Sequence, residues 1–248
     1  MQPIISIITV TYNAGQVLEK TIRSIVSQTA FANVEYIIVD GASKDNTTDI
    51  IRQHEHHVSR WISEPDKGLY DAMNKGIAMA TGDYVWFINA GDEIYENDTL
   101  EKILQQPSGA DIYYGETLET TEAGETIGMR RLSTPEQLDW KSFQWGMLVC
   151  HQSILVKREI AGNYDLSYRI AADIDWVISA LKKSTLVINT HLVLSRFAKG
   201  GTSGKHIKKA LRERFGIMTR NYGFMRTVFN HVVIGTKFFW FLMRNKRF

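Results

Sequence analysis

The sequence predicts an α/β protein built on a central sheet of mainly parallel strands. Apolar segments rich in β-branched and aromatic residues alternate with segments of helical period, which is the pattern of βαβ units. Small polar turns follow the apolar segments, as they do where parallel strands end beside a ligand. The apolar run at 84–88 is typical of a strand that is buried on both faces of a sheet.

The first half of the chain is a regular alternation of strands and helices. Residues 4–11 are mostly β-branched and predict a buried strand, which ends in a polar turn. Asn46 or Thr47 is a candidate cap for the second helix, and Gly82 ends the third. The elements after the first strand are helix 17–28, strand 34–39, helix 47–57, strand 60–63, helix 70–80 and strand 84–88.

The second half is less regular. The polar segment 116–131 favours a hairpin over the sheet, and 145–156 indicates a strand pair or an extended segment that crosses the site. His151 lies in that segment, where a core histidine and a functional histidine both fit the pattern. The other predicted elements are helix 100–105, strand 111–115, a helix that begins within 135–140 and an amphipathic helix over 170–181.

The composition is that of a globular protein in a reducing compartment. Hydrophobic residues are 44% and charged residues 23% of the 248 residues, which suits one domain with or without an appendage. Cys150 is the only cysteine, so no internal disulfide can form, and we expect a cytosolic protein. The N-terminal residues lack a basic region and a cleavage site, so we interpret them as a strand rather than a signal peptide.

The charge is distributed unevenly along the chain. Residues 205–248 carry 11 of the 29 basic residues and one of the 27 acidic residues, Glu213. That segment therefore has a net charge of +10 and the rest of the chain −8, although the whole chain is only +2. The sequence predicts an acidic body with a basic tail.

The polar turn Asn89-Ala90-Gly91-Asp92 follows the apolar run at 84–88. A carboxylate at the end of a central strand can hold a divalent cation against a phosphate, and an Asx turn without a ligand is the alternative. The turn after the first strand, TYNAGQ, lacks the three glycines of a dinucleotide-binding loop, and the chain has no phosphate-binding GxxxxGK[ST] sequence. These absences argue against NAD, FAD and P-loop nucleotide chemistry.

Four blocks carry a family resemblance: SIITVTYNAG, YIIVDGASKDNT, EPDKGLYDAMNKGIAMATGDYVWFINAGDE and AADIDWV. In content, order and spacing they resemble the inverting family 2 glycosyltransferases of GT-A fold, such as those of bacterial surface polysaccharides of the colanic-acid type. The resemblance implies a GT-A domain at 1–204, with a nucleotide-binding half at 1–110 and an acceptor-binding half at 111–204. Residues 205–248 lie outside it as a basic, apolar helical tail.

The resemblance implies a nucleoside site at the first strand ends. Thr11, Tyr12 and Asn13 match the turn that contacts the nucleoside. Asp40 matches the acid that accepts a hydrogen bond from the base, which suits a pyrimidine imide because a carboxylate only accepts. Asp66 matches the next acid, which lines the base and ribose.

The resemblance also places the following helix and the central turn against the donor. For Asp71 and Lys75, an exposed ion pair at i,i+4 on the helix is the alternative. The implied donor-facing residues are Asp71, Asn74 and Lys75 on the helix, and Asn89, Ala90 and Gly91 in the turn.

Two aspartates carry the implied chemistry. Asp92 matches the residue that ligates Mn²⁺ or Mg²⁺, whereas Asn89 and Gly91 depart from the acids of the family's D-x-D-D-like pattern. We therefore expect the metal to bind mainly together with the nucleotide. Asp173 matches the catalytic base of a Glu-Asp pair whose first acid is replaced by Ala172, and a first-turn helix acid is the alternative.

The implied reaction transfers a single sugar from a nucleotide-diphospho-sugar, a UDP-sugar, to an acceptor hydroxyl with inversion. Arg196 or Lys199 would fold over the diphosphate, on a segment that Gly200 and Gly201 make mobile. The Gln-x-x-Arg-Trp sequence of processive synthases is absent. Two rivals are a sugar nucleotidyltransferase, which would want a glycine-rich basic loop after the first strand, and a non-catalytic sugar-nucleotide sensor.

The tail predicts a pair of helices at an anionic membrane surface. Residues 228–243 are apolar and aromatic apart from Asn230, His231, Thr236 and Lys237, and basic residues flank them. We expect peripheral attachment to the inner face of the cell membrane and a lipid-linked saccharide acceptor. A helix packed on the body and a contact between two copies in a homo-oligomer are the alternatives, and the acidic body disfavours nucleic acid.

Overall fold

A computed structural model describes residues 4–121, 123–200 and 207–245. The strands are β1 (Ile5–Thr11), β2 (Val34–Asp40), β3 (Arg60–Ser63), β4 (Tyr84–Phe87), β5 (Glu93–Ile94), β6 (Ile112–Thr120), β7 (Thr126–Met129), β8 (Ile154–Lys157) and β9 (Val187–Ala198). The helices are α1 (Leu18–Val26), α2 (Thr47–Gln53), α3 (Leu69–Met79), α4 (Thr99–Leu104), α5 (Arg158–Ala161), α6 (Ala172–Lys183), α7 (Ile207–Tyr222) and α8 (Phe224–Asn245). Short 3₁₀ turns occur at Phe31–Asn33, Glu55–His57, Ser142–Trp145 and His151–Ser153.

The strands form one sheet in the order β3-β2-β1-β4-β8-β6-β9-β5, with β7 added to β6. The β3-β2-β1-β4 half is entirely parallel, as predicted. The other half is mixed, because β8 runs antiparallel to both β4 and β6 while β9 runs parallel to β6. The α/β class is confirmed. The expectation of mainly parallel strands holds in the β3-β2-β1-β4 half, where a helix connects each strand to the next along the chain.

Two apolar layers cover the sheet. Consecutive side chains of β4 alternate between them: Val85 and Phe87 pack towards α3 and α6, whereas Trp86 packs towards α1, α2 and α4. All three side chains are at most 1% exposed. This burial on both faces explains why β4 is a continuous apolar run rather than an alternating one.

A buried carboxylate fixes the start of β4. Glu35 of β2 accepts hydrogen bonds from Ser6 Oγ at 2.6 Å, the Thr81 amide at 2.7 Å and the Thr81 hydroxyl at 2.8 Å. Gly82 follows, and a Cβ there would lie 2.9 Å from the Ser6 backbone nitrogen, so only glycine fits this close approach. The turn before β4 is thereby held against β1 and β2.

Several second-half predictions differ from the structure. The hairpin is confirmed as β6 and β7, and β6 continues to Thr120 instead of ending at 115. The helix expected to begin within 135–140 is wrong, and a single 3₁₀ turn at Ser142–Trp145 follows instead. The segment 145–156 contains a second 3₁₀ turn and then β8, because only its apolar end pairs with β4 and β6.

The first tail helix, α7, packs against the body. Ile217 is fully buried and Met218 is 3% exposed, and the Arg220 guanidinium pairs with Asp175 of α6. The Tyr222 ring stacks on Trp140 with its centroid 5.7 Å away. For α7, the packed-helix alternative is therefore the observed one.

The second tail helix, α8, contacts the body with one face and exposes the other. Thr227 and Asn230 are at most 3% exposed. Met225, Phe229 and Val232 are 79%, 64% and 61% exposed. Within the described ranges, no helix combines the length and the apolar character needed to cross a bilayer.

Candidate active site

The turns after β1, β2 and β3 meet at one edge of the sheet. Thr11 is the register partner of Asp40, and Asp40 is the register partner of Ser63. Because the three strands are parallel, their carboxyl ends form a single rim, which is where open α/β sheets bind ligands. The sequence-predicted nucleoside residues lie along this rim.

Asp40 is fully buried and already holds three donors. Its carboxylate accepts from the Ser63 hydroxyl at 2.6 Å, the Ser43 amide at 3.0 Å and the Ser43 hydroxyl. A carboxylate offers about four lone-pair directions, so one acceptor position remains for a ligand N–H. The two serines therefore fix the orientation of the Asp40 carboxylate.

Tyr12, Gly41 and Asp66 lie together beside Asp40. A Cβ on Gly41 would lie 2.4 Å from Asp66 Oδ2 and 3.2 Å from Tyr12 Cδ2. The Tyr12 side chain is 62% exposed, so its ring offers an open apolar face at the rim. The buried Thr11 hydroxyl has no hydrogen-bond partner among the described residues.

Asn13 shapes this edge of the site. It has a positive φ of 48°, and its Oδ1 accepts from the Lys44 amide at 2.8 Å. Its own amide donates to Ser43 Oγ at 2.8 Å. Asn13 therefore joins the turn after β1 to the turn after β2.

The three predicted residues of α3 each have a different partner. Asp71 accepts from the Lys67 amide at 2.9 Å, and Lys75 pairs with Glu64 at 2.8 Å. Asn74 donates to the Tyr164 carbonyl at 3.0 Å and accepts from the Tyr164 amide at 2.7 Å. These contacts hold the loop at 64–68 and the segment that leads to α6.

The turn after β4 is held by α1. The Gly91 amide donates to Thr21 Oγ1 at 2.9 Å, and Thr21 Oγ1 donates to the Asp92 carbonyl at 2.8 Å. Gly91 has a φ of 99°, and the Ala90 amide donates to the Val10 carbonyl at 3.1 Å. The turn thus places Asp92 at the end of the central strand.

The Asp92 carboxylate is only 5% exposed. Gln152 Nε2 donates to its Oδ2 at 2.8 Å and the Ala198 amide to its Oδ1 at 3.3 Å. Burial raises the pKa of Asp92 to about 6, although the Gln152 hydrogen bond and the nearby His151 both act to lower it. No cationic side chain among the described residues donates a hydrogen bond to this carboxylate.

Asp173 lies in the first turn of α6 and is linked to the Asp92 turn through a histidine. His151 Nδ1 is 3.7 Å from Asp173 Oδ2, and His151 Nε2 is 3.2 Å from Asn89 Nδ2. The Tyr70 hydroxyl donates to Asp173 Oδ1 at 3.4 Å. His151 was an open question in the sequence, and the structure places it between the two predicted aspartate sites.

Both aspartates also act on one thiol. Asp92 and Asp173 each raise the pKa of Cys150, although burial is the main cause of its rise to about 12. This common electrostatic influence and the His151 contacts put the two carboxylates on the same side of the molecule. A cleft shared by the two carboxylates, which the sequence hypothesis requires, stays a prediction.

The donor set near Asp92 fits a hard divalent cation that is shared with a phosphate. Asn89 Oδ1 and Gln152 Oε1 are buried without hydrogen-bond partners among the described residues, and both are amide oxygens. Over the same residues, no cluster of three or more histidine, cysteine or acidic side chains could hold a metal. Oxygen ligands from one carboxylate and an amide suit Mn²⁺ or Mg²⁺ when a diphosphate completes the coordination.

Arg196 and Lys199 have their described contacts elsewhere. The Arg196 guanidinium lies 5.3 Å from the centroid of the Tyr95 ring, in a pocket of about 400 Å³ that Lys20 and Arg23 also line. Lys199 pairs with Glu119 at 2.5 Å. Their role over the diphosphate stays a prediction, and Gly201 lies outside the described residues.

Parallel strands whose carboxyl ends bring acids together at one rim form the ligand-binding edge of an open α/β fold. A family model, glycosyl transferase family 2, matches residues 6–163. The chain belongs to this family.

Curated relatives cover most of the chain. An uncharacterised glycosyltransferase of Mycobacterium tuberculosis is 30% identical over 96% of this chain and 92% of its own length. A PGL/p-HBAD biosynthesis glycosyltransferase of Mycobacterium bovis is 31% identical over 88% of this chain and 86% of its own length. A Bacillus subtilis glycosyltransferase named for teichuronic acid biosynthesis is 30% identical over 73% of each chain.

Solved structures confirm the GT-A fold. The S. aureus TarS 1–349 crystal structure in complex with UDP-GlcNAc has a TM-score of 0.70 at 14% identity, over 88% of this chain and 67% of that one. The chain spans 39% of the longer TarS chain. A mannosyltransferase from Pyrobaculum calidifontis in complex with GDP-Man and Mn²⁺ has a TM-score of 0.60 at 18% identity, over 95% and 76%.

Proposed function

We propose that this protein is an inverting glycosyltransferase that moves one sugar from a UDP-sugar to an acceptor hydroxyl in surface polysaccharide synthesis. The observation that carries the proposal is the position of His151, which contacts Asp173 through one ring nitrogen and Asn89, in the turn that ends at Asp92, through the other. Membership of glycosyltransferase family 2 and the relative named for teichuronic acid biosynthesis support it.

The rim geometry supports a nucleoside donor. The free acceptor position of Asp40 suits the imide N–H of uracil, the exposed Tyr12 ring suits the face of a base, and the unpaired Thr11 hydroxyl suits a polar ligand atom. Asp66 lies beside Tyr12 and is placed to accept from a ribose hydroxyl. The fold neighbour that is complexed with UDP-GlcNAc is consistent with this class of donor.

In the proposed reaction, an acceptor hydroxyl oxygen attacks the anomeric carbon as the bond to the diphosphate oxygen breaks. Asp173 takes the hydroxyl proton, which is general base catalysis. The Tyr70 hydroxyl contacts Asp173 Oδ1, and His151 Nδ1 lies near Asp173 Oδ2. These contacts fix the orientation of the carboxylate. A single displacement inverts the anomeric centre, so an α-linked donor gives a β-linked product.

Asp92, with the oxygen of Asn89, would hold Mn²⁺ or Mg²⁺ together with the donor diphosphate. When bound, the ion supplies Lewis-acid stabilisation of the negative charge on the leaving nucleoside diphosphate. Gln152 keeps the Asp92 carboxylate in a single orientation through its 2.8 Å hydrogen bond.

A thermal-shift panel with donor hydrolysis tests the proposal. We expect a UDP-sugar with Mn²⁺ to raise Tm by mass action, Mn²⁺ alone to shift it little, and the purified protein to hydrolyse the donor slowly. Tyr12→Ala should weaken UDP-sugar binding by about tenfold through lost stacking, whereas Phe229→Ala, of similar exposure at 64%, should not. Binding without hydrolysis or transfer would indicate a sugar-nucleotide sensor, and no binding of any nucleotide sugar would overturn the proposal.

The exposed face of α8 supports the remaining part of the proposal. This part is that the protein is cytoplasmic, attaches to the inner face of the membrane and uses a lipid-linked saccharide as its acceptor. Five exposed residues of α8 follow one another at spacings of three, four or eight, so they lie on one face of the helix, opposite Thr227 and Asn230. We call them the α8 apolar stripe: Met225, Phe229, Val232, Trp240 and Met243. With the basic residues of the tail, such a stripe suits the surface of an anionic bilayer.

Vesicle flotation tests membrane attachment. We expect the wild type to float with vesicles that contain anionic lipid and less with neutral ones, and the triple variant Met225→Ser, Phe229→Ser, Val232→Ser to remain largely in solution. These side chains are exposed, so the fold should survive. Truncation at 203 is a poorer test because it also removes the buried α7 contacts. Equal flotation of both proteins would contradict attachment, and a loss of dimer in the variant would assign the stripe to a homo-oligomer.

A further inference from the structure

One tail residue reaches the start of the helix that carries Asp173. Glu213 of α7 accepts hydrogen bonds from three consecutive backbone amides in the segment before α6. Its Oε2 is 2.8 Å from the Ile170 nitrogen and 3.1 Å from both the Ala171 and the Arg169 nitrogens. Glu213 is also the only acidic residue of the basic segment 205–248.

These amides need an acceptor from outside the helix. Of the three, the Ala171 amide belongs to the N-cap of α6, where the first amides lack intrahelical partners, and the Arg169 and Ile170 amides precede the helix. The methyl side chain of Ala171 cannot cap them. Ala171 is fully buried and Ile170 is 8% exposed, so water is a poor substitute. A carboxylate is the favoured group at this end of a helix because the helix dipole attracts negative charge there.

The same segment connects to both sides of the site. Asp173 follows Ala171 by two residues. The Arg169 guanidinium donates to the Lys67 carbonyl in the loop at 64–68, on the side proposed for the nucleotide sugar. A shift of the segment would therefore move the Asp173 carboxylate relative to Tyr70 and His151. Displacements of about 1 Å in reacting groups can cost about 10²-fold in rate.

We propose that Glu213 is a positioning residue for the reaction: it fixes the segment before α6 and thereby aims Asp173 at the acceptor hydroxyl. The proposal rests on the proposed function, since it assigns Asp173 the role of base. Through Glu213, α7 contributes to the geometry of the active site, although it lies outside residues 6–163, which the family model matches.

Other anchors of α7 make no described hydrogen bond to the amides at 169–171, although the Arg220 guanidinium lies 5.5 Å from the centroid of the neighbouring Tyr168 ring, and they provide a control. Arg220 pairs with Asp175 and Asp165, and Ile217 and Met218 pack into the body. Arg220→Gln therefore also loosens α7 from α6 but leaves the Glu213 hydrogen bonds intact. If activity requires only that α7 stays packed on the body, Glu213→Ala and Arg220→Gln should both lower kcat. If Glu213 positions Asp173, only Glu213→Ala should lower it.

The test measures steady-state hydrolysis of the UDP-sugar that binds best in the thermal-shift panel, by the full chain with Mn²⁺ and well below its Tm. We expect Glu213→Ala to lower kcat by about 10²-fold while the donor KM stays within about twofold. Glu213→Gln keeps one acceptor oxygen for the Ile170 and Ala171 amides and should recover part of that loss. Arg220→Gln should lower Tm and keep kcat within about twofold.

Hydrogen exchange supplies a readout that does not need activity. Glu213→Ala should accelerate exchange of the amides at 169–171, and Arg220→Gln should not. Wild-type kcat in Glu213→Ala, an equal loss of kcat in Arg220→Gln, or unchanged exchange at 169–171 would each overturn the proposal. An inactive wild type that transfers and hydrolyses no donor would instead overturn the proposed function, and with it the catalytic part of this inference.

Discussion

Asp173→Asn should lower kcat by about 10²- to 10⁴-fold while the affinity for the nucleotide sugar stays nearly unchanged. An asparagine amide keeps the shape of the side chain, and its oxygen can still accept from the Tyr70 hydroxyl. It cannot take the proton of the acceptor hydroxyl. The loss therefore falls on the chemical step, and initial rates with saturating donor, together with calorimetric binding of the donor, measure it.

Asp175→Asn is the matched control for this result. Asp175 lies two residues further along α6, is 7% exposed and pairs with Arg220. Removing that charge should lower the stability of the fold, because the half-exposed Arg220 guanidinium loses its ion pair with a buried carboxylate, but should leave kcat nearly intact. A wild-type kcat in Asp173→Asn, or equal losses in both variants, would remove Asp173 from the role of base.

The parallel half of the fold could be predicted because its signals are local. The β-branched run at 4–11, the helical period after it and the apolar run at 84–88 each specify one element and its burial. These elements follow each other along the chain, so their pairing is also the simplest one. Thr11, Tyr12 and Asp40, the residues predicted to contact the nucleoside, come together at the rim for the same reason.

The mixed half could not be predicted, because its pairings join distant parts of the chain. β8 inserts between β4 and β6, and β9 brings Arg196 opposite Glu93 of β5. No local pattern encodes these neighbours. The contact of His151 with Asp173 depends on this long-range arrangement, which is why the sequence left the histidine open.

Composition alone suggested a tail separate from the body, and for α7 that view is incomplete. The buried residues Ala210, Ile217 and Met218 recur at helical spacing among basic residues, which is the signal of a packed face. Glu213 accepts hydrogen bonds from the amides of Ile170 and Ala171, which lie 43 and 42 positions earlier in the chain. No local pattern in the sequence signals these contacts. The sequence shows that Glu213 is an isolated acid, and only the fold shows what it contacts.

Asp92→Asn should reduce transfer by about 10²- to 10³-fold and at the same time stabilise the nucleotide-free protein. Burial raises the pKa of Asp92 to about 6 from an ordinary value near 3.8. The folded protein therefore binds more protons than the unfolded chain between these values, and the free energy of unfolding falls as pH rises through that window. Above pH 6 the penalty for the buried charge is fully present, and asparagine removes it.

The expected gain is on the order of 1–3 kcal/mol at pH 8 and disappears near pH 4. Gln152 can accommodate the new amide, because its unpaired Oε1 can turn to accept from the asparagine Nδ2. Denaturant unfolding at both pH values, in a chelating buffer, measures the gain, and Asp49→Asn on the surface of α2 should show none. A less stable Asp92→Asn at pH 8 would show that the carboxylate stabilises the free fold. The expected outcome would instead identify Asp92 as a charge that destabilises the empty cleft and is retained for the cation and the diphosphate.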